Sequence, residues 1–86
     1  MYCVYLLRNL KSSKLYIGYT SNLKRRITEY NKRTQIWELI YFEAYKDKRD
    51  ALLREKRLKY FGNALAQLKR RLKNSCPYDL TGAGKW

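Results

Sequence analysis

Chemistry in this chain must come from tyrosines, arginines, lysines and a few acids, because its 86 residues include no histidine. That absence excludes a serine–histidine–aspartate triad, a cysteine–histidine pair and any histidine-ligated metal. Cys3 and Cys76 are too few for a zinc site and too sparse for a disulfide framework; they read as reduced thiols of a cytoplasmic protein. Among the phenols, Tyr5 and Tyr16 stand out. Tyr16 belongs to KLYIGYT, residues 14–20, where Gly18 interrupts what reads as a strand. A strand interior avoids glycine, so this one marks either a bend or a close approach of some other group to the backbone.

Two charges stand where the pattern does not want them. On the helix expected after the third strand, about 100° per residue puts Glu55 inside an apolar arc of Ala51, Leu52 and Leu58, while Arg54 and Lys56 fall on the outer face. A glutamate on a buried side needs a cationic partner, a hydrogen-bonding shell or a metal ion. An ion pair with an arginine is the simpler alternative and stays open. On the first helix, Arg26 borders the Leu23–Ile27–Tyr30 stripe, where a snorkelling stem is the plain explanation. Both charges would converge with Tyr5 and Tyr16 if the helices pack beside the strands.

The elements that must position these residues follow from periodicity. YCVYLLR (2–8) and KLYIGYT (14–20) are β-rich runs joined by the polar link NLKSS, which suits a hairpin. A turn centred near Leu10 and Lys11 puts Tyr5 opposite Tyr16, with Cys3, Leu7 and Gly18 on the same face. Thr20 or Ser21 is the expected cap of a helix of about three turns over NLKRRITEYN. QIWELIYFEAY (35–45) is expected to be a third strand covered on both sides. Asp47 is the expected N-cap of the next helix, with Asp50 in a capping-box-like position and Gly62 as its stop. NALAQLKRRLK (63–73) forms a short basic helix with Leu65, Leu68 and Leu72 on one side, and residues 74–86 read as an irregular tail. The order β-β-α-β-α-α makes one α+β domain over residues 1–73, a three-stranded antiparallel sheet flanked by helices.

The charge is lopsided: 20 Lys and Arg against 7 Asp and Glu give a formal net charge of +13 and a pI near 10. Such a surface suits a polyanion, nucleic acid first and an anionic membrane second. No apolar run approaches the ~20 residues of a spanning helix, and the opening MYCVYLLRNLK reads as a strand, not a signal peptide. Lys24, Arg25, Lys32 and Arg33 form one basic group, and Lys56, Arg57, Lys59, Lys69, Arg70, Arg71 and Lys73 another. No residue set suggests base readout in the major groove.

The ordered set resembles a known pattern. Val4-Tyr5 stands where a GIY triplet would end, and Tyr16-Ile17-Gly18 supplies a YIG triplet. Arg26, Tyr30 and a helical Glu55 follow in order on the β-β-α-β-α frame. Over residues 2–62 the chain is similar to the small stand-alone GIY-YIG nuclease domains. It departs from them at Cys3, where the first glycine would be, and at Tyr19, where relatives often carry a lysine. The resemblance implies a metal-dependent endonuclease that hydrolyses DNA with low sequence specificity, structure-selective and of a repair or recombination type. It implies catalytic roles for Tyr5, Tyr16, Arg26, Tyr30 and Glu55: one of the first two phenols as general base, Arg26 on the scissile phosphate, Tyr30 orienting Arg26 or relaying a proton, and Glu55 as the single protein ligand to Mg2+ or Mn2+. Gly18 would leave room for the sugar-phosphate backbone, and Tyr19, Lys24, Arg25, Lys32, Arg33, Lys56, Lys59 and Asn63 are the expected nucleic-acid contacts. Double-stranded, branched or single-stranded DNA is the expected partner, with no membrane, for a cytoplasmic monomer or homodimer. The alternative is a nucleic-acid-binding module that keeps the fold without cutting.

Overall fold

The computed structural model describes residues 1–33 and 36–74. Strands β1 (Tyr2–Asn9) and β2 (Leu15–Thr20), helix α1 (Leu23–Tyr30), strand β3 (Trp37–Tyr45) and helices α2 (Lys48–Tyr60) and α3 (Gly62–Arg71) follow in the expected order. The antiparallel sheet runs β2-β1-β3. β1 is central because it alone is apolar throughout: Cys3 to Leu7 are all buried. The tail from residue 75 on, Cys76 included, lies outside the described residues, while Cys3 is a buried free thiol.

The two faces of the sheet have different partners. Val4, Leu6 and Ile17 pack on Ala51 and Leu58 of α2 and Leu68 of α3, with Leu65 and Leu72 at the margin. A bulge opposite Leu6 and Leu7 shifts the β1–β3 register. With the extra residue there, neighbouring Ile40 and Tyr41 both reach this core. The other face carries Tyr5, Leu7, Tyr16 and Gly18, and α1 lies over it through Tyr30.

Several local expectations are corrected. Tyr5 pairs with Gly18, and Tyr16 with Leu7, so the hairpin register is two residues from the expected one. The cause is the loop: the Asn9 side chain accepts the N–H groups of Lys11 and Ser12, each at 2.9 Å. Ser13 takes a left-handed φ of 63°, and Asn9 N–H closes on the Lys14 carbonyl at 2.8 Å. The turn is thereby centred one residue further on. Because side chains alternate with period two, this shift leaves Tyr5, Tyr16 and Gly18 on one face.

Asn22, not Thr20 or Ser21, caps α1 by accepting from Arg25 N–H at 3.1 Å; Thr20 instead orders the approach by accepting Asn22 N–H at 3.0 Å. The helix has 8 residues, a little over two turns. β3 is an edge strand with one face covered, and its Phe42 is 51% exposed. Asp47 does cap α2. Phe61, in extended backbone, ends that helix and starts α3, so Gly62 is a helical residue and not a stop.

Candidate active site

Tyr5 is the centre of the arrangement. It is 1% exposed, and its ring crosses the backbone of the neighbouring strand at Gly18. A Cβ at Gly18 would overlap Tyr5 Cζ and Oη and lie 2.8 Å from Cε1. This answers why a glycine interrupts the strand: the space expected for a substrate backbone holds the Tyr5 phenol. From there the Tyr5 hydroxyl meets that of Tyr30, 3.5 Å away. Burial pushes the Tyr5 phenol above its ordinary pKa, partly offset by the Tyr30 hydrogen bond and the Arg26 charge, while Tyr16 and Glu55 push it further up.

Tyr30 joins the two strand phenols. Its ring centroid lies 6.4 Å from that of Tyr5 and 5.7 Å from that of Tyr16. Burial, then hydrogen bonding with Tyr16 and Tyr5, raises the Tyr30 phenol far above the ordinary range, so it stays protonated near neutral pH. Tyr16 differs from both. It sits on the edge strand and is 41% exposed, the phenol of this trio that solvent reaches most.

Arg26 and Glu55 approach from the two helices. Arg26, one turn before Tyr30, has a half-exposed guanidinium whose Nε lies 3.8 Å from Glu29, and with Glu29 and Tyr30 it lines an open cavity of about 250 Å³. Glu29 had no signal in the sequence beyond its i+3 spacing from Arg26. Glu55 is part-buried, although Leu52 of the expected apolar arc is exposed, and its carboxylate meets Lys59 Nζ at 3.1 Å; the partner is thus a lysine one turn on, not an arginine. Burial lowers the Lys59 pKa, but the hydrogen bond and charge of Glu55, with smaller contributions from Tyr16 and Tyr60, together outweigh it, so the net shift is upward. Glu55 acts electrostatically on Tyr5, and Tyr16 on Lys59, so these two α2 side chains lie within electrostatic range of the phenols. The fold therefore brings Tyr5, Tyr16 and Tyr30 into contact, with Arg26 one turn from Tyr30 and with Arg26 and Glu55 within electrostatic range of Tyr5.

The expected contact residues divide. Lys24, Arg25, Lys32, Arg33, Lys56, Lys59 and Asn63 are exposed, Lys59 while paired with Glu55. Tyr19 is not: it lies on the opposite face, stacked on Tyr2 with centroids 6.4 Å apart and packed at the margin of the core. Arg54 is not on the outer face either. Its long stem brings the guanidinium back to Glu43, with Nε and Nη2 donating at 2.9 and 3.0 Å. Tyr41 and Tyr45 also donate to Glu43. Burial pushes the Glu43 carboxyl up, but the bonds from Arg54, Tyr41 and Tyr45 hold it below its ordinary pKa. Burial, and after it the hydrogen bond to the same carboxylate, raises both tyrosines to about 12. This cluster of four residues fastens β3 to α2, and it carried no signal in the sequence because its members are spread over two elements.

The family model described as the GIY-YIG catalytic domain matches residues 1–64. The chain belongs to the GIY-YIG family. Neither a curated protein nor a solved structure gives a significant match. Membership brings a nuclease-type fold and a nucleic-acid substrate, and GIY-YIG domains are generally endonucleases that depend on a divalent metal. Among the described residues there is no group of three or more histidine, cysteine or acidic side chains able to hold a metal. No described helix is long and apolar enough to cross a membrane.

Proposed function

We propose that this protein is a divalent-metal-dependent endonuclease that hydrolyses DNA phosphodiester bonds with low sequence specificity, selecting by structure among branched, nicked and single-stranded forms. The observation that carries the reading is the meeting of three phenols beside a half-exposed guanidinium and an open cavity, with the part-buried Glu55 carboxylate within electrostatic range of Tyr5. Hydrolysis of a phosphodiester needs a water stripped of its proton, a counter-charge for the phosphate and help for the leaving oxygen. Tyr16, the exposed phenol, takes the proton from the water as its own hydroxyl proton passes to the solvent that reaches it. Tyr5 is buried and Tyr30 half-buried; both stay protonated and orient Tyr16. Arg26 grips the phosphate: its planar fork matches two phosphate oxygens, and a pair 3.8 Å from Glu29 leaves it free to do so.

Glu55 would hold the cation. A single carboxylate with space for water suits Mg2+ or Mn2+ better than Ca2+ or Zn2+, and when bound the ion supplies positive charge for the developing phosphate oxyanion. Lys59 must then leave the Glu55 carboxylate. The exposed Lys24, Arg25, Lys32, Arg33 and Lys56 bind flanking phosphates, with no base-reading set to fix a sequence.

The test is incubation of the purified protein with supercoiled plasmid and branched oligonucleotides, with Mg2+ or Mn2+ and with chelator. Metal-dependent nicking that disappears in Glu55→Ala is expected. Cutting that survives both chelation and Glu55→Ala contradicts the mechanism, and DNA binding without cutting under either metal favours a binding module, the alternative to which the Glu55–Lys59 pair lends support.

A further inference from the structure

The cleft has a fourth ring that the mechanism does not use. Trp37, the first residue of β3, packs edge-on against Tyr16, with centroids 6.2 Å apart and planes at 65°. Against Tyr30 it is tilted, at 5.8 Å and 58°. With the Tyr16–Tyr30 contact at 5.7 Å and 60°, the three rings close a triangle in which each side has the edge or tilted geometry that aromatic quadrupoles favour. The backbone of Trp37 is held as firmly as its ring. Asn31, the C-cap of α1, accepts Trp37 N–H at 3.1 Å and donates from Nδ2 to the Trp37 carbonyl at 3.0 Å. This two-point clamp ties the start of β3 to the helix that carries Arg26 and Tyr30.

We infer that Trp37 is a positioning residue for the cleavage reaction, fixing the direction of the Tyr16 phenol, with Asn31 as its anchor. The inference rests on the reading above in which Tyr16 takes the proton from water. Tyr16 stands on an edge strand and is 41% exposed, so little else on its own strand restricts its side chain to one rotamer. A rotamer change would carry its hydroxyl several ångströms from Tyr30. Misplacement of a reacting group by ~1 Å costs on the order of a hundredfold in rate. The Trp37 and Tyr30 rings together hold the Tyr16 ring from two sides, in the orientation in which its hydroxyl hydrogen-bonds with Tyr30. Trp37 itself touches no substrate in this scheme; its effect runs entirely through Tyr16.

That dependence gives the experiment. Single-turnover plasmid nicking by the full chain is measured for Tyr16→Phe, Trp37→Leu, Trp37→Phe and the Tyr16→Phe/Trp37→Leu double variant, with melting temperature alongside. Trp37→Leu is expected to lower the rate at saturating DNA by about tenfold or more with little change in the DNA concentration giving half-maximal rate, and Trp37→Phe, which keeps an aromatic edge, to recover most of it. In the Tyr16→Phe background the same Trp37→Leu change is expected to have almost no further effect. An equal loss in both backgrounds, or a loss that tracks the melting temperature through all variants, overturns the inference and leaves Trp37 as a packing residue. Normal cutting by Tyr16→Phe overturns it through its premise, a distinguishable failure because the proton-transfer assignment falls with it. Ring-carbon NMR of labelled tyrosines supplies a readout independent of activity: in Trp37→Leu the Tyr16 ring signals move toward those of a freely rotating phenol while those of Tyr5 stay, and unmoved Tyr16 signals overturn the inference.

Discussion

Replacing Gly18 by alanine puts one methyl group where the Tyr5 ring already is. The new Cβ overlaps Tyr5 Cζ and Oη and sits 2.8 Å from Cε1, so either the ring or the strand must move. The ring has little freedom: Tyr5 is 1% exposed and Tyr30 packs edge-on against it. Forcing an extra methyl into such a place costs about 1–3 kcal/mol, and the boxed ring argues for the upper end. Against this, alanine in a strand regains about 0.5–1 kcal/mol of backbone entropy relative to glycine. The net expectation is a loss of about 2 kcal/mol, a fall in melting temperature of roughly 8–16 °C for a domain of this size. Denaturant melts of Gly18→Ala in wild-type, Tyr5→Phe and Tyr5→Leu backgrounds test the cause. Leucine lacks Cζ and Oη, so there the alanine becomes neutral or slightly stabilising, a coupling of about 2 kcal/mol; phenylalanine keeps Cζ and keeps the cost. Equal effects in all three backgrounds, or a stabilised Gly18→Ala, would refute the close-approach explanation.

Three further outcomes are expected. Tyr16→Phe and Tyr5→Phe each lower the plasmid-nicking rate by at least about a hundredfold, the weight of a lost proton-transfer group for Tyr16 and of a misplaced one for Tyr5, with the fold intact by circular dichroism; normal rates in both would remove the phenols from the chemistry. Glu43→Gln costs about 2 kcal/mol, the weight of hydrogen bonds to a charged group, measured by urea melts. Because the folded Glu43 carboxyl lies below its ordinary 4.5, its contribution is complete above that pH and fades as pH falls through the folded value; Tyr41 and Tyr45, raised to about 12, contribute below pH 10 and lose it as pH climbs through 12. The variant should therefore show a flatter acid limb, and an acid limb unchanged from wild type would exclude Glu43 as its source. Lys59→Met removes the ammonium 3.1 Å from Glu55 and should tighten Mn2+ binding by about fivefold or more in calorimetry, whereas unchanged or weaker binding would place the metal elsewhere.

How far the sequence reached depended on whether a feature was local. The element order came from runs such as Cys3–Leu7, whose continuous apolarity makes β1 the central strand, and from Asp47, whose side chain caps α2 as its type and place imply. The common face of Tyr5, Tyr16 and Gly18 survived a wrong register because the error was two residues, one full period of a strand. That error itself lay in Asn9 and Ser13, where a side-chain hydrogen bond and a left-handed backbone lengthened the turn. Helical phase found the unusual burial of Glu55, but phase describes a position and not the reach of a long side chain. Arg54, expected outside, swings its guanidinium back onto Glu43. Trp37 carried no signal beyond strand propensity, since its partners lie on β2 and α1 and only the closed fold brings them together.

Binding of Mn2+ followed by paramagnetic broadening of tyrosine ring signals tests most directly whether Glu55 and the phenols form one reactive cleft. Strong, selective broadening of the Tyr16 and Tyr5 rings, with Tyr41 and Tyr45 spared and the whole effect abolished by Glu55→Ala, is the predicted result. Broadening centred on the Glu43 side of the molecule, or indifferent to Glu55→Ala, would contradict it.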